Sequence, residues 1–221
     1  MQDACSDVDD FVRCIAALKF EGAFNPYAES CDWHDRANAP SIRRRNLKIV
    51  LTAAMQGGVD SVWIARDLGY RGGRRTGLAL TDEMHLTEHA DLLGTRPLSR
   101  ATKGLPIAER TATVIWTVLK NLRRPVFLWN VFPLHPHEPG DPMSNRCHTS
   151  EERQACRPLL IWLLRTLRPT SVVAIGRDAH LALSSLEIEA CPVRHPSYGG
   201  QSEFVSGVYK MYGLAAPATQ R

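Results

Sequence analysis

The sequence predicts an α/β fold, a three-layer α/β/α sandwich around a four-stranded parallel sheet. Four short apolar runs are spaced along the chain: SVWIA (61–65), PVFLWN (125–130), SVVAIG (171–176) and ACPVRH (190–195). Each is closed by Gly, Pro or polar residues, as buried parallel strands are. Helical patterns fill the intervals, and strands alternating with helices imply a parallel sheet covered on both faces.

The first convincing helix, IRRRNLKIVLTAAM (42–55), precedes the first strand, and IAERTATVIWTVLKNL (107–122) separates the first strand from the second. SEERQACRPLLIWLLRTL (150–167) follows the second strand. It opens on a cap signal, Thr149 or Ser150 ahead of Glu151 and Glu152. RDAHLALSSL (177–186) starts directly from Gly176 and leads to the fourth strand. No repeat, low-complexity tract or linker divides the 221 residues. One domain is expected, with the first ~20 and last ~8 residues at its periphery.

Composition narrows the function classes. Hydrophobic residues make up 44% and charged residues 23%, ordinary values for a folded soluble protein. No stretch approaches the ~20 apolar residues of a membrane helix. The start, MQDACSDVDDF, is acidic and reads as no secretory leader. Six cysteines, at 5, 14, 31, 147, 156 and 191, form no CxxC pair, so neither a metal ribbon nor an iron–sulfur cluster is expected. Free thiols in a cytoplasmic monomer, without cofactor, are the expectation. The net charge is +4, with basic clusters at Arg43-Arg44-Arg45, at Arg71 with Arg74-Arg75, and at Arg96, Arg100 and Lys103. Such clusters suit a polyanionic partner or are solvated faces.

In open parallel sheets ligands bind at the carboxyl ends of the strands. Those ends carry Arg66-Asp67-Leu68-Gly69-Tyr70, Asn130, Gly176-Arg177 and His195-Pro196-Ser197. An acid, an amide, a backbone cradle and an imidazole thus share one rim. Breaking an N-glycosidic bond passes through an oxocarbenium-like sugar. It needs a carboxylate to orient water, a donor to the departing base and a reader of the base edge. Asp67 and His195 fit the first two roles. Asn130 offers both acceptor and donors, matching the N3–H and O4 of uracil. Such a base must first be turned out of the duplex.

On these residues the chain resembles the uracil-DNA glycosylase superfamily over roughly 20–212. ARDLGY (65–70) occupies the place of the superfamily's GQDPY or GEAPG loop, and GYRGGRRTGLALTDE (69–83) is similar to the GYRG…TG…FT.E segment of bacterial members. LWNVFPLHPHEPGDP (128–142) resembles the second-strand motif, VAIGRDAHLAL (173–183) the LG.TA turn, and HPSYGG (195–200) the HPS motif with its DNA-entering loop. The resemblance implies Asp67 as the water-activating acid, His195 as the catalytic histidine and Asn130 as the uracil reader. Arg66, Leu68 and Leu80 fall at the base pocket. Arg71, Arg74, Arg75, Gly176, Arg177 and Ser197 fall on the phosphate track, and Tyr198, Gly199, Gly200 and Gln201 on the entering loop. The implied partner is uracil-containing DNA.

The chain also departs from the family pattern. Arg66 stands where members have Gln or Glu, and Leu68 replaces a Pro. Gly69 stands where the GQDPY class has a methyl-blocking Tyr, and Leu80 where a Phe stacks on uracil. The four-cysteine signature of one branch is missing. Hypoxanthine, xanthine or mismatched thymine remain alternative targets. A non-catalytic DNA-binding module and a hydrolase of free nucleosides are the rival classes. Blander readings stand beside the sharp ones: Asp67 as a cap, Asn130 as a partner for loop backbone, and His85, His89 and His180 as structural. His135, His137, Glu138 and His148 suggest zinc by type but not by spacing, and no metal is expected. Trp63, Trp116, Trp129 and Trp162 are expected in the core.

Overall fold

The computed structural model describes residues 5–215. Along them run α1 (Val8–Ala17), β1 (Ala23–Phe24), α2 (Ala39–Gly57), β2 (Ser61–Asp67), the short α3 (Gly73–Thr76), α4 (Leu86–Leu92) and α5 (Arg110–Leu122). They continue through β3 (Val126–Phe132), β4 (His135–Pro136), α6 (Ser150–Leu167), β5 (Ser171–Ile175), α7 (Arg177–Ser185), β6 (Cys191–Val193) and α8 (Gln201–Met211). Strands β3, β2, β5 and β6 lie in that order in one parallel sheet, with Ala65 beside Asn130 in the β2–β3 register. The α/β sandwich and its four-stranded sheet are as the sequence predicts.

Connection handedness explains the layers. The step from β2 to β3 runs one way along the sheet, and the steps from β3 to β5 to β6 run the other. Right-handed crossovers therefore put their helices on opposite faces. Accordingly α5 joins α8 over Trp63, Ala65, Leu128 and Val173. Helices α6 and α7 join α1 and α2 over Val62, Ile64, Phe127, Trp129 and Ala174. The reversal of strand order beside β2 opens a crevice at the carboxyl ends. The expected core tryptophans Trp63, Trp116, Trp129 and Trp162 are all buried.

One expectation is corrected. The N-terminal segment is not peripheral: Phe11 of α1 is fully buried, its ring 4.8 Å from that of Trp162 and 5.6 Å from that of Trp129. Val8, Phe11, Val12 and Ile15 form one apolar stripe at helical spacing, and burying that stripe ties α1 into the core. The expected C-terminal periphery lies mostly outside the described residues. The predicted capping box of α6 is present, Thr149 and Glu152 each accepting from the other's backbone. No helix among the described residues is long and apolar enough to cross a membrane.

Candidate active site

The carboxyl ends of β2, β5 and β6 open on a cavity of about 460 Å³, within the range of small-ligand sites. Asp67 and His195 both line it, with Arg66, Leu68, Leu80, Gly176, Arg177, Ser197 and Tyr198. Glu109, Asn145, Arg146, Asp178 and Arg194 complete much of the wall.

Asp67 ends β2 and is held from two sides. Arg66 donates from Nε to Oδ2 at 2.5 Å and, from its terminal nitrogen, to Asp178 at 2.7 Å. On the other side Nδ1 of His148 donates to Oδ1 of Asp67. The two oxygens keep further lone pairs after these contacts. Asp67 can therefore still orient a water on the cavity side while its own position is fixed.

His195 lies two residues beyond β6. Its Nδ1 accepts from the Ser197 backbone at 3.2 Å and lies 2.7 Å from the Ser197 hydroxyl. That arrangement places the ring proton on Nε2. Burial, with the charges of Arg66 and Arg194, pushes the imidazole down to about 4, so at neutral pH the ring is an uncharged N–H donor. The N-terminus of α7 approaches it closely. A Cβ on Gly176 would sit 3.0 Å from that of His195, and the residue adopts φ +91, a conformation only glycine takes readily.

Asn130 stands on the α5–α8 face beside Ala65, which lines the cavity. Its side chain is buried, and neither amide atom has a hydrogen-bond partner among the described residues. Asn130 itself does not line the cavity. An amide left so costs about 1–3 kcal/mol per group, and such groups call for a functional account. Leu80 reaches the wall from a left-handed backbone, φ +53. Its carbonyl accepts from the Trp116 indole at 3.1 Å, and Thr76 donates to the next carbonyl at 2.8 Å. These bonds hold a conformation unusual for leucine.

The basic cluster divides, and this corrects the expected phosphate track. Arg71 is exposed, but Arg74 and Arg75 are buried. Arg74 lies over the Phe24 ring at 4.0 Å and donates to the Met143 sulfur at 3.1 Å. Arg75 pairs with the buried Glu83 at 2.9 Å. Both belong to α3, whose side chains the surrounding loops cover. Arg43 is likewise internal, paired with Asp35. Arg177 is exposed at the first turn of α7. Tyr198 is 98% exposed, with Gly199 and Gln201 also exposed; Gly200 is buried, and a Cβ there would meet the His195 carbonyl at 2.2 Å.

The histidines weighed for zinc do not converge. His135 faces the Ser144 carbonyl, His137 that of Glu138, and His148 faces Asp67. Among the described residues, the group of three or more ligating side chains with atoms all within 4.8 Å of one another is Cys5, Asp10 and Cys14 at α1. None of these lines the cavity. Sequence reasoning weighed His148 only for zinc, not as a partner of Asp67, and did not single out Glu109 at all. The one sits just ahead of a capping box and the other just ahead of a helix, where composition signals helix starts rather than chemistry.

With this geometry in view, the comparisons place the chain. The family model described as Uracil DNA glycosylase superfamily matches residues 91–207, just over half of the sequence. The chain belongs to this superfamily, and its class is that of the DNA glycosylases. The match contains Asn130 and His195, while Asp67 and Leu80 lie ahead of it. Among solved structures 21 chains match. One is wild-type SMUG2 of Pedobacter heparinus, with TM-score 0.62 and 12% identity, over 93% of this chain and 96% of that one. No curated protein matches.

Proposed function

We propose that this glycosylase turns uracil out of DNA and hydrolyses its N-glycosidic bond, leaving an abasic site. The observation that carries the reading is the sharing of one cavity by a fixed carboxylate, Asp67, and a neutral imidazole, His195, with its Nε2–H free to donate. As the C1′–N1 bond breaks, its electron pair stays on the base, and charge grows on O2. An N–H placed there stabilises it. Water oriented by Asp67 adds to C1′ and gives its proton to the carboxylate. The negative charge of Asp67 also favours the cationic sugar on the way.

We assign base reading to Asn130, which pairs with Ala65 of the cavity wall and whose unpartnered amide would accept from N3–H and donate to O4 of a bound uracil. The exposed Arg71 and Arg177, the first-turn amides of α7 after Gly176, and Ser197 form the phosphate contacts. Tyr198, flanked by Gly199, Gly200 and Gln201 at the start of α8, is the wedge. A cavity of this volume also admits a purine, so hypoxanthine and xanthine belong in the assay. The deciding experiment is single-turnover release of uracil from an oligonucleotide, with and without chelator, beside free deoxyuridine. Chelator-insensitive release from DNA alone is expected. No release from DNA, or release from the nucleoside at the same rate, overturns the reading.

A further inference from the structure

The start of α5 sends a side chain into the cavity that the steps above leave without a task. The backbone N–H of Glu109 donates to Asp82 at 2.6 Å, which fixes the main chain. The Glu109 side chain does not cap its own helix but lines the cavity with Asp67, Leu80 and His195. Its carboxyl lies flat against the turn that follows Asp67. A Cβ built on Gly69 would stand 2.6 Å from Oε1, and one on Gly72 would stand 2.3 Å from Oε2. The point at Gly72 is also 3.6 Å from the Thr81 carbonyl, which places the carboxyl beside the Leu80–Thr81 backbone. Two glycines make the slot, and a side chain on either would expel the carboxyl.

We propose that Glu109 determines base specificity, its carboxyl forming the pocket wall in the space that a side chain at position 69 would fill. The inference rests on the base-excision reading above. There O2 of the pyrimidine goes to His195, and the N3–H and O4 edge goes to Asn130. The C5–C6 edge is then turned away from both, toward wall that includes Gly69 and Glu109. A hydrogen at C5 fits against that wall. The methyl group of thymine would strip water from a carboxyl and return no hydrogen bond, and it would press on a slot already filled.

The surroundings of Glu109 suit that role. Among the described residues its carboxyl oxygens accept no hydrogen bond, so they are free to face a base. The charged groups that act on it are Asp82, itself held by His85 at 2.6 Å, and Arg71. Burial first, and then the charge of Asp82, push Glu109 up to about 7 against the pull of Arg71.

The test compares uracil with thymine opposite guanine in duplex oligonucleotides, by single-turnover excision, for wild type, Glu109→Ala, Glu109→Gln and Gly69→Ala/Glu109→Ala. Gly69 is not among the positive-φ residues, so alanine is acceptable there. The uracil-to-thymine rate ratio is expected to fall at least tenfold in Glu109→Ala and much less in Glu109→Gln. It is expected to recover in the double variant, whose new methyl group takes the vacated space. Ratios equal to wild type in all three variants overturn the assignment while leaving the uracil reading intact. Loss of the thermal unfolding transition in both single variants assigns Glu109 to the framework and also overturns it. A wild type inactive on uracil removes the functional reading, and this inference with it.

Discussion

The imidazole of His148 donates through Nδ1 to Oδ1 of Asp67, linking the loop ahead of α6 to the last residue of β2. Both side chains are almost wholly buried, at 3% and 6% exposed. The carboxylate that would orient the attacking water is therefore placed by a residue distant in sequence, not only by its own strand.

Removing that donor should slow excision without abolishing it. A hydrogen bond to a charged group contributes about 1.5–3 kcal/mol. If that support is lost from the transition state, His148→Ala slows single-turnover uracil release roughly 10- to 150-fold. Asp67→Asn should lose more, about 10²–10⁴-fold, because it removes the base itself. Equal rates for His148→Ala and wild type would show that Arg66 alone suffices to place the acid.

The pH profile follows from His195. Its imidazole is pushed down to about 4 by burial and by Arg66 and Arg194. A histidine with depressed pKa binds a proton more readily when unfolded, so stability falls as pH drops from about 6.5 toward 4 and is flat above. The neutral donor should likewise persist through pH 5–7, and no step in rate assignable to His195 should appear near 6.5. Imidazole NMR shifts followed by titration measure this directly. A midpoint near 6.5 for His195 would remove the neutral-donor role.

The divided arginine cluster makes a contrast within four residues. Arg71→Ala and Arg177→Ala should each make the salt dependence of DNA binding shallower by about one counterion unit. Arg75→Ala should leave that slope unchanged but destabilise the fold, because Glu83 would remain buried without its cation, a loss of about 3–5 kcal/mol. Binding isotherms at several salt concentrations, with thermal melts beside them, separate the two effects. A shallower slope in Arg75→Ala would return that residue to the phosphate track.

That contrast shows where sequence reading stops. The sheet was legible because four short apolar runs alternate with helical patterns, though the expected burial fails at the last, where Cys191 and Pro192 of β6 are exposed. The rim was legible because strand ends carry Asp67, Gly176 and His195, which share the cavity; Asn130 lies within β3 and does not line it. Burial of a charged side chain has no such signature, and Arg75 reads like Arg71 until Glu83 is seen opposite it. The Glu109 carboxyl is invisible for the same reason. Its slot depends on Gly69 and Gly72, some forty residues earlier in the chain. Helix α1 is a different case. Its Val8, Phe11, Val12 and Ile15 pattern is plain in the sequence, but the first ~20 residues are expected at the periphery and the stripe goes unused.

Asn130 offers the strongest test, because function and stability should move in opposite directions there. Both atoms of its buried amide lack partners, and its strand neighbours on that face, Val126 and Leu128, belong to the apolar core under α5 and α8. Replacing an unsatisfied amide by an apolar group of similar shape removes a desolvation cost of about 1–3 kcal/mol per group. Asn130→Leu should therefore melt higher than wild type. On the proposed base reading the same change also removes the acceptor for N3–H and the donor to O4, so uracil excision should fall by orders of magnitude. Asn130→Asp should also lose uracil, having no NH₂ to offer O4. Any activity it gains should be toward cytosine, whose N4 amino group donates instead. A buried Asn kept only for structure would give the reverse pattern in Asn130→Leu: a lower melting temperature, with excision following the folded fraction.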